Sequence, residues 1–77
     1  MNKERRKTLQ EIIDMLEEQK SGIDAVCEEE QEAYDNLPEG IQDSERGEAM
    51  SENIDSMESA ASDLDDIITA LQEIIER

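Results

Sequence analysis

Apolar residues recur in alternating steps of three and four along two long stretches of this chain, the spacing that places side chains along one face of an α-helix. In the first stretch the row is Leu9, Ile12, Leu16, Ile23, Val26, Ala33 and Leu37, with Gln19 and Glu30 filling its two polar positions. Ile13, Cys27 and Tyr34 widen the stripe on one flank. In the second stretch Met50, Ile54, Met57, Ala61, Leu64, Ile68, Leu71 and Ile75 form a row without a polar interruption, flanked by Ala60, Ile67 and Ile74. Both rows are heptad seams, and both are broader than a two-helix contact needs. The pattern predicts an all-α chain with one helix over about 3–36 and a second over about 45–76. Ser21-Gly22 is the weak point of the first, since a mid-helix glycine implies a kink or close approach by another helix.

Between the helices, residues 37–44 contain the only proline, Pro38, which disfavours helical backbone at Leu37 and ends the first helix. Gly40 is suited to a positive φ, and Ser44 or Asp43 to capping the second helix, whose first turn carries Glu45 and Glu48 at the positive end of the macrodipole. If the chain folds back here, facing residue numbers must keep a nearly constant sum. They do: Leu9 faces Ile75, Leu16 faces Ile68, Ile23 faces Ala61 and Glu30 faces Ile54, with Ile12–Leu71, Gln19–Leu64, Val26–Met57 and Ala33–Met50 displaced by one. The fold predicted is an antiparallel two-helix hairpin, coiled-coil-like, a single domain over residues 1–77 and roughly 45–50 Å long.

A 77-residue chain buries only about 60% of the surface its unfolded form exposes, so a further layer is expected. Ile13, Ile67 and Ile74 are the apolar residues left over, at the end remote from the corner. They form the expected dimer face of a homodimeric four-helix bundle, unless that face belongs to a different protein. Salt is expected to strengthen such a dimer by screening the repulsion between two chains of charge −16.

Charge changes the picture most. The chain holds 23 acidic and 7 basic residues. Setting aside residues 1–7 and Arg77, which carry Glu4 and five of the cations, leaves 22 acidic against 2 basic, a net of −20. Along a ~50 Å rod that is one charge per ~2.5 Å, against one per ~1.7 Å for duplex DNA. Direct nucleic-acid binding is excluded by this sign, while occupation of a basic nucleic-acid channel is not. A coat that merely keeps a small bundle soluble has the same composition. Lys3, Arg5, Arg6 and Lys7 are expected to lie near Glu73 and Glu76, and Arg46 to pair with Asp35, Glu39 or Asp43. No apolar run follows the basic start or reaches the ~18 residues of a membrane span, and the expected location is the cytoplasm, with no membrane partner.

Catalytic chemistry has little to draw on. Histidine is absent, no Gly-rich phosphate loop or nucleophile elbow occurs, and the lone Cys27 stands beside Glu28, Glu29 and Glu30, which raise a thiol pKa. Neither that acidic run nor Asp63, Asp65 and Asp66 has the spacing of a calcium loop, so no metal, cofactor or enzymatic activity is expected. Tyr34, the one aromatic, is expected to cap the seam and to direct its hydroxyl at the turn.

The run from Glu28 through Tyr34, Leu37-Pro38-Glu39-Gly40 and Ser44-Glu45-Arg46-Gly47-Glu48 to Met50, followed by acidic Ile-Asp repeats, resembles a group of small acidic helical proteins of phages and prophages of Gram-positive bacteria. The likeness covers residues 28 to about 75 and carries no functional residue across. It implies a phage context, in which the leading expectation is a DNA-mimic-like inhibitor of a basic host protein. DNA- or RNA-binding nucleases and effectors of restriction or CRISPR type are the partners expected. The outward carboxylates Glu28, Glu32, Asp35, Glu45, Glu48, Glu52 and Asp55 are the candidate contacts. The alternative is a self-assembling helical module without such a partner.

Overall fold

The computed structural model describes residues 1–77 and consists of two α-helices, α1 (Lys3–Asp35) and α2 (Glu45–Glu76), packed side by side along their length. The hairpin measures 58 × 15 × 12 Å. Asn2 opens α1, its side-chain oxygen accepting a hydrogen bond from the Arg5 N–H at 2.8 Å. The helix closes at Asn36, as Pro38 requires. It runs unbroken through Gly22.

The corner is a short series of turns. Gly40 takes φ +86°, Ile41 N donates to the Pro38 carbonyl at 3.0 Å, and Ser44 N donates to the Ile41 carbonyl at 3.0 Å. Ser44, rather than Asp43, caps α2 by accepting from the Gly47 N–H at 3.4 Å, while its own hydroxyl donates to the Ile41 carbonyl. The Gln42 side chain ties the corner to the end of α1 by donating to the Tyr34 carbonyl at 3.1 Å. The turn thus engages the backbone of Tyr34 and not, as expected from sequence, its hydroxyl. Gly47 is buried because the first turn of α2 lies directly on the backbone of Gln42, where any Cβ would overlap the Gln42 carbonyl.

On α2 the seam runs where the heptads place it, with Ile54, Ala61 and Ile68 buried and Met50, Met57, Leu64, Leu71 and Ile75 half-buried. On α1 one row differs from the sequence reading. Leu9, Leu16, Ile23, Glu30 and Leu37 face inward as expected, but the second row is Ile13, Lys20, Cys27 and Tyr34, one residue beyond Ile12, Gln19, Val26 and Ala33. Ile13 is 0% exposed within a single hairpin, whereas Ile12 is 37% and Val26 53% exposed. Ile13 therefore stabilises the hairpin itself and is unavailable to a dimer face, which corrects its assignment. The physical reason is register: Ile13, Lys20, Cys27 and Tyr34 face Leu71, Leu64, Met57 and Met50 in the same alignment that pairs Leu9 with Ile75, so one register now serves every pair. Bonds across the seam follow it, from Asn53 Nδ2 to Glu30 Oε2 at 3.5 Å and from the Cys27 thiol to the Ile54 carbonyl at 3.8 Å.

Only Ile13, Gly47, Ile54, Ala61 and Ile68 are buried, because two helices form one layer and leave the broad sides of the seam open. No helix is long and apolar enough to cross a membrane.

Candidate functional site

The corrected seam divides the hairpin into two broad faces, since on each helix one edge follows each seam row. The first face is edged by Ile12, Gln19, Val26 and Ala33 of α1 and by Asn53, Ala60, Ile67 and Ile74 of α2, with Met15, Gly22, Ser56 and Ala70 in the next positions outward. Glu29 and Asp63 are the carboxylates in that outer pair of rows. Met15 is 57% and Ile67 52% exposed here, so the large apolar side chains that α1 and α2 leave uncovered lie together. Along the middle of this face runs an open groove lined by Gln19, Gly22, Ile23, Val26, Met57 and Ala60. Within the single hairpin Ile67 is exposed and Ile74 is half-buried.

The opposite face is edged by Glu17 and Asp24 of α1 and by Glu58 and Asp65 of α2. Asp14, Glu28, Asp35, Glu48 and Asp55 stand in the rows beyond. These carboxylates are solvent-exposed. The one ion pair in the structure is Lys20 to Asp24 at 3.4 Å, made by a seam lysine whose ammonium reaches the edge while its stem stays on the seam. Asp24, Glu28, Gln31 and Glu58 surround Cys27 in a shallow open cleft. Partial burial, then Glu58, Asp24, Asp55 and Glu28 in that order, raise the thiol above its ordinary value, so Cys27 stays protonated at neutral pH and is a poor nucleophile.

Of the sequence-derived contact residues, Glu28, Asp35, Glu48 and Asp55 share this acidic face. Glu52 joins Glu48 in a cleft under the corner with Tyr34, Gln42, Asp43, Gly47 and Ser51. Glu32 and Glu45 are not brought together with them, because both project from the narrow outer edges of their helices. The sequence reading missed Asp24 and Glu58, which flank Cys27. Their signal was present, four residues after Lys20 and Ile54, but it becomes visible only when Lys20 is placed on the seam.

Consecutive carboxylates on a helix diverge by about 100° per residue. Glu28 accordingly belongs to the acidic face, Glu29 to the apolar one and Glu30 to the seam. No group of three carboxylates or thiolates converges with metal-binding geometry. Arg46 is exposed and forms no ion pair, contrary to the expected tie to Asp35, Glu39 or Asp43. Lys3, Arg5, Arg6 and Lys7 likewise make no ion pair with Glu73 or Glu76. Together with Arg77 they leave a basic open end on an otherwise acidic rod.

Gly22 has no packing reason within the hairpin. A Cβ built there meets nothing within 4 Å, yet a glycine in a helix interior costs about 1 kcal/mol relative to alanine.

Comparison with known protein families, curated proteins and solved structures finds no match to this chain.

Proposed function

We propose that this chain acts by binding rather than catalysis, laying its acidic face against the basic, nucleic-acid-handling surface of a host protein and excluding nucleic acid from it. The observation that carries this reading is the segregation of charge. Glu17, Asp24, Glu28, Asp35, Glu48, Asp55, Glu58 and Asp65 stand along one side of a 58 Å rod, and Lys20 is the only cation paired with any of them. A coat needed only for solubility has no reason to leave the other broad face nearly free of charge. Unpaired carboxylates on a stiff two-helix layer present a line of negative charge to lysines and arginines that otherwise meet phosphates. The resemblance to small acidic phage proteins supports a defence nuclease or effector as the target.

The test uses the immobilised full chain in bacterial lysate, with elution by salt and by duplex DNA. A stoichiometric basic partner is expected, released by salt of about 0.5 M and displaced by DNA, because charge-dominated binding loses orders of magnitude in affinity over such a range. A quadruple variant, Glu28→Gln, Asp35→Asn, Glu48→Gln and Asp55→Asn, should lose the partner while keeping its helical circular dichroism. Binding indifferent to both salt and DNA sinks the proposal. The second reading, a self-assembling module without a basic partner, is favoured by the uncovered apolar face, and it predicts no partner that DNA displaces.

A further inference from the structure

We infer that the apolar face is closed by a second copy of this chain, running antiparallel so that the two corners lie at opposite ends and Gln19 meets its own symmetry mate. This goes beyond the proposed function, since it uses the opposite side of the hairpin and stands or falls separately.

Three observations select this occupant. The row Ile12, Gln19, Val26 is symmetric in sequence about Gln19. A two-fold axis through Gln19, perpendicular to the rod and lying in the interface, therefore sets Ile12 of each chain against Val26 of the other. The axis crosses α2 at the level of Asp65, two residues from Ile67, so the two Ile67 side chains approach one another and Ala60 falls level with Ala70. The one polar side chain in the α1 row meets another that can both donate and accept, as an amide does. A single polar pair within an apolar interface is a known determinant of register and orientation in helical assemblies.

Charge selects the same arrangement. About the Gln19 axis, Lys3, Arg5, Arg6 and Lys7 of one chain come level with residues 31–35 of the other, where Glu32 stands on the outer edge, and Arg77 comes level with Asn53, beside Glu52. The basic open end, which finds no ion-pair partner in its own hairpin, then lies alongside carboxylates. A parallel arrangement, with both corners at one end, would instead set basic end against basic end and acidic half against acidic half. A basic helix from another protein would complement the acidic side of this molecule, but it would have no partner for the exposed cations.

The third observation is Gly22. It lines the groove beside Ala60 with open space where its Cβ would be, so the backbone of another helix can approach closely there. Ile12, Met15 and Ile67 are the projecting side chains that a facing copy would bring to this groove.

The full chain is examined by sedimentation equilibrium in about 0.5 M salt, which screens the repulsion between two chains of net charge −16. The expected mass is twice 8.8 kDa at tens to hundreds of micromolar. Val26→Asp combined with Ile67→Asp, both at exposed positions, should give a monomer of unchanged helicity. Orientation is read by cysteine cross-linking in a Cys27→Ala background. Gln19→Cys is expected to form a covalent dimer on mild oxidation, and Ile12→Cys alone is not, because it faces Val26. A wild-type mass of 8.8 kDa throughout that range overturns the inference. A dimer in which Gln19→Cys does not cross-link, whatever Ile12→Cys does, overturns the arrangement about Gln19.

Discussion

The two broad faces of the hairpin are built on the same pair of helices and flank the same seam, yet they have opposite chemistry. Ile12, Met15, Val26 and Ile67 crowd one side with Gly22 and Ala60 between them, while Glu17, Asp24, Glu58 and Asp65 border the other. The difference shows that exposure and polarity are not equivalent in this molecule. Val26 and Ile67 are each about half open to solvent, but they are apolar and lie on one face. Contiguous exposed apolar surface, unlike a scattered surface leucine, marks a place where another molecule packs. The acidic side has the reverse property. Its carboxylates add nothing to hairpin packing and repel one another, so their stabilising partner must be solvent, counterions or a basic surface.

The comparison can be broken most completely at the corner, where both faces depend on the angle at which α2 leaves the turn. Gly47→Ala places a methyl group on the Gln42 carbonyl, and backbone cannot yield as a flexible side chain would. A loss of about 3 kcal/mol is expected, at the upper end of overpacking costs and a large share of the stability of a small domain. Thermal unfolding monitored by circular dichroism measures it. An unchanged melting temperature would show that the corner tolerates a wider entry angle.

Next in size is the difference between two adjacent isoleucines. Ile13→Ala removes a wholly buried side chain from the seam and should cost about 2–4 kcal/mol. Ile12→Ala, on the apolar face, should cost under about 1 kcal/mol in the monomer, as surface substitutions usually do. Denaturant titrations of the two variants at low protein concentration test the assignment, and equal losses would contradict the seam described above.

The smallest expected effect sharpens the acidic side. Glu58→Gln combined with Asp55→Asn removes two of the carboxylates that raise the Cys27 pKa and leaves the Lys20–Asp24 pair intact. Alkylation of Cys27 by iodoacetamide at mildly alkaline pH should become a few-fold faster. In the native chain the unfolded thiol ionises before the folded one, so the unfolded state binds fewer protons in that window. Stability is therefore complete below the ordinary thiol range and declines as pH rises towards the folded value. A variant alkylated no faster than the native chain would mean that Glu58 and Asp55 contribute nothing and that burial, with Asp24 and Glu28, holds the thiol.

Much of this protein was legible without coordinates. The steps of three and four marked both helices. Pro38, Gly40 and Ser44 marked the corner through φ restriction, positive φ and capping, and antiparallel register followed from matching the two seams. All are local or one-dimensional properties, written in residue type and spacing. The sequence also carried the net charge and the absence of histidine. Which of two neighbouring rows on α1 faces inward was a different kind of question. Ile12 and Ile13, Val26 and Cys27, and Ala33 and Tyr34 are adjacent apolar pairs, so a rotation of about 100° exchanges one row for the other at little cost in hydrophobicity. Only packing against α2 resolves it, by requiring one register for every layer, and that choice turns Asp24 towards the acidic face, where Glu58 of α2 stands, and Ile12 and Val26 towards the apolar one. Gly47 was likewise unreadable as a necessity, because the backbone it must clear belongs to Gln42 and comes close only once the chain has turned.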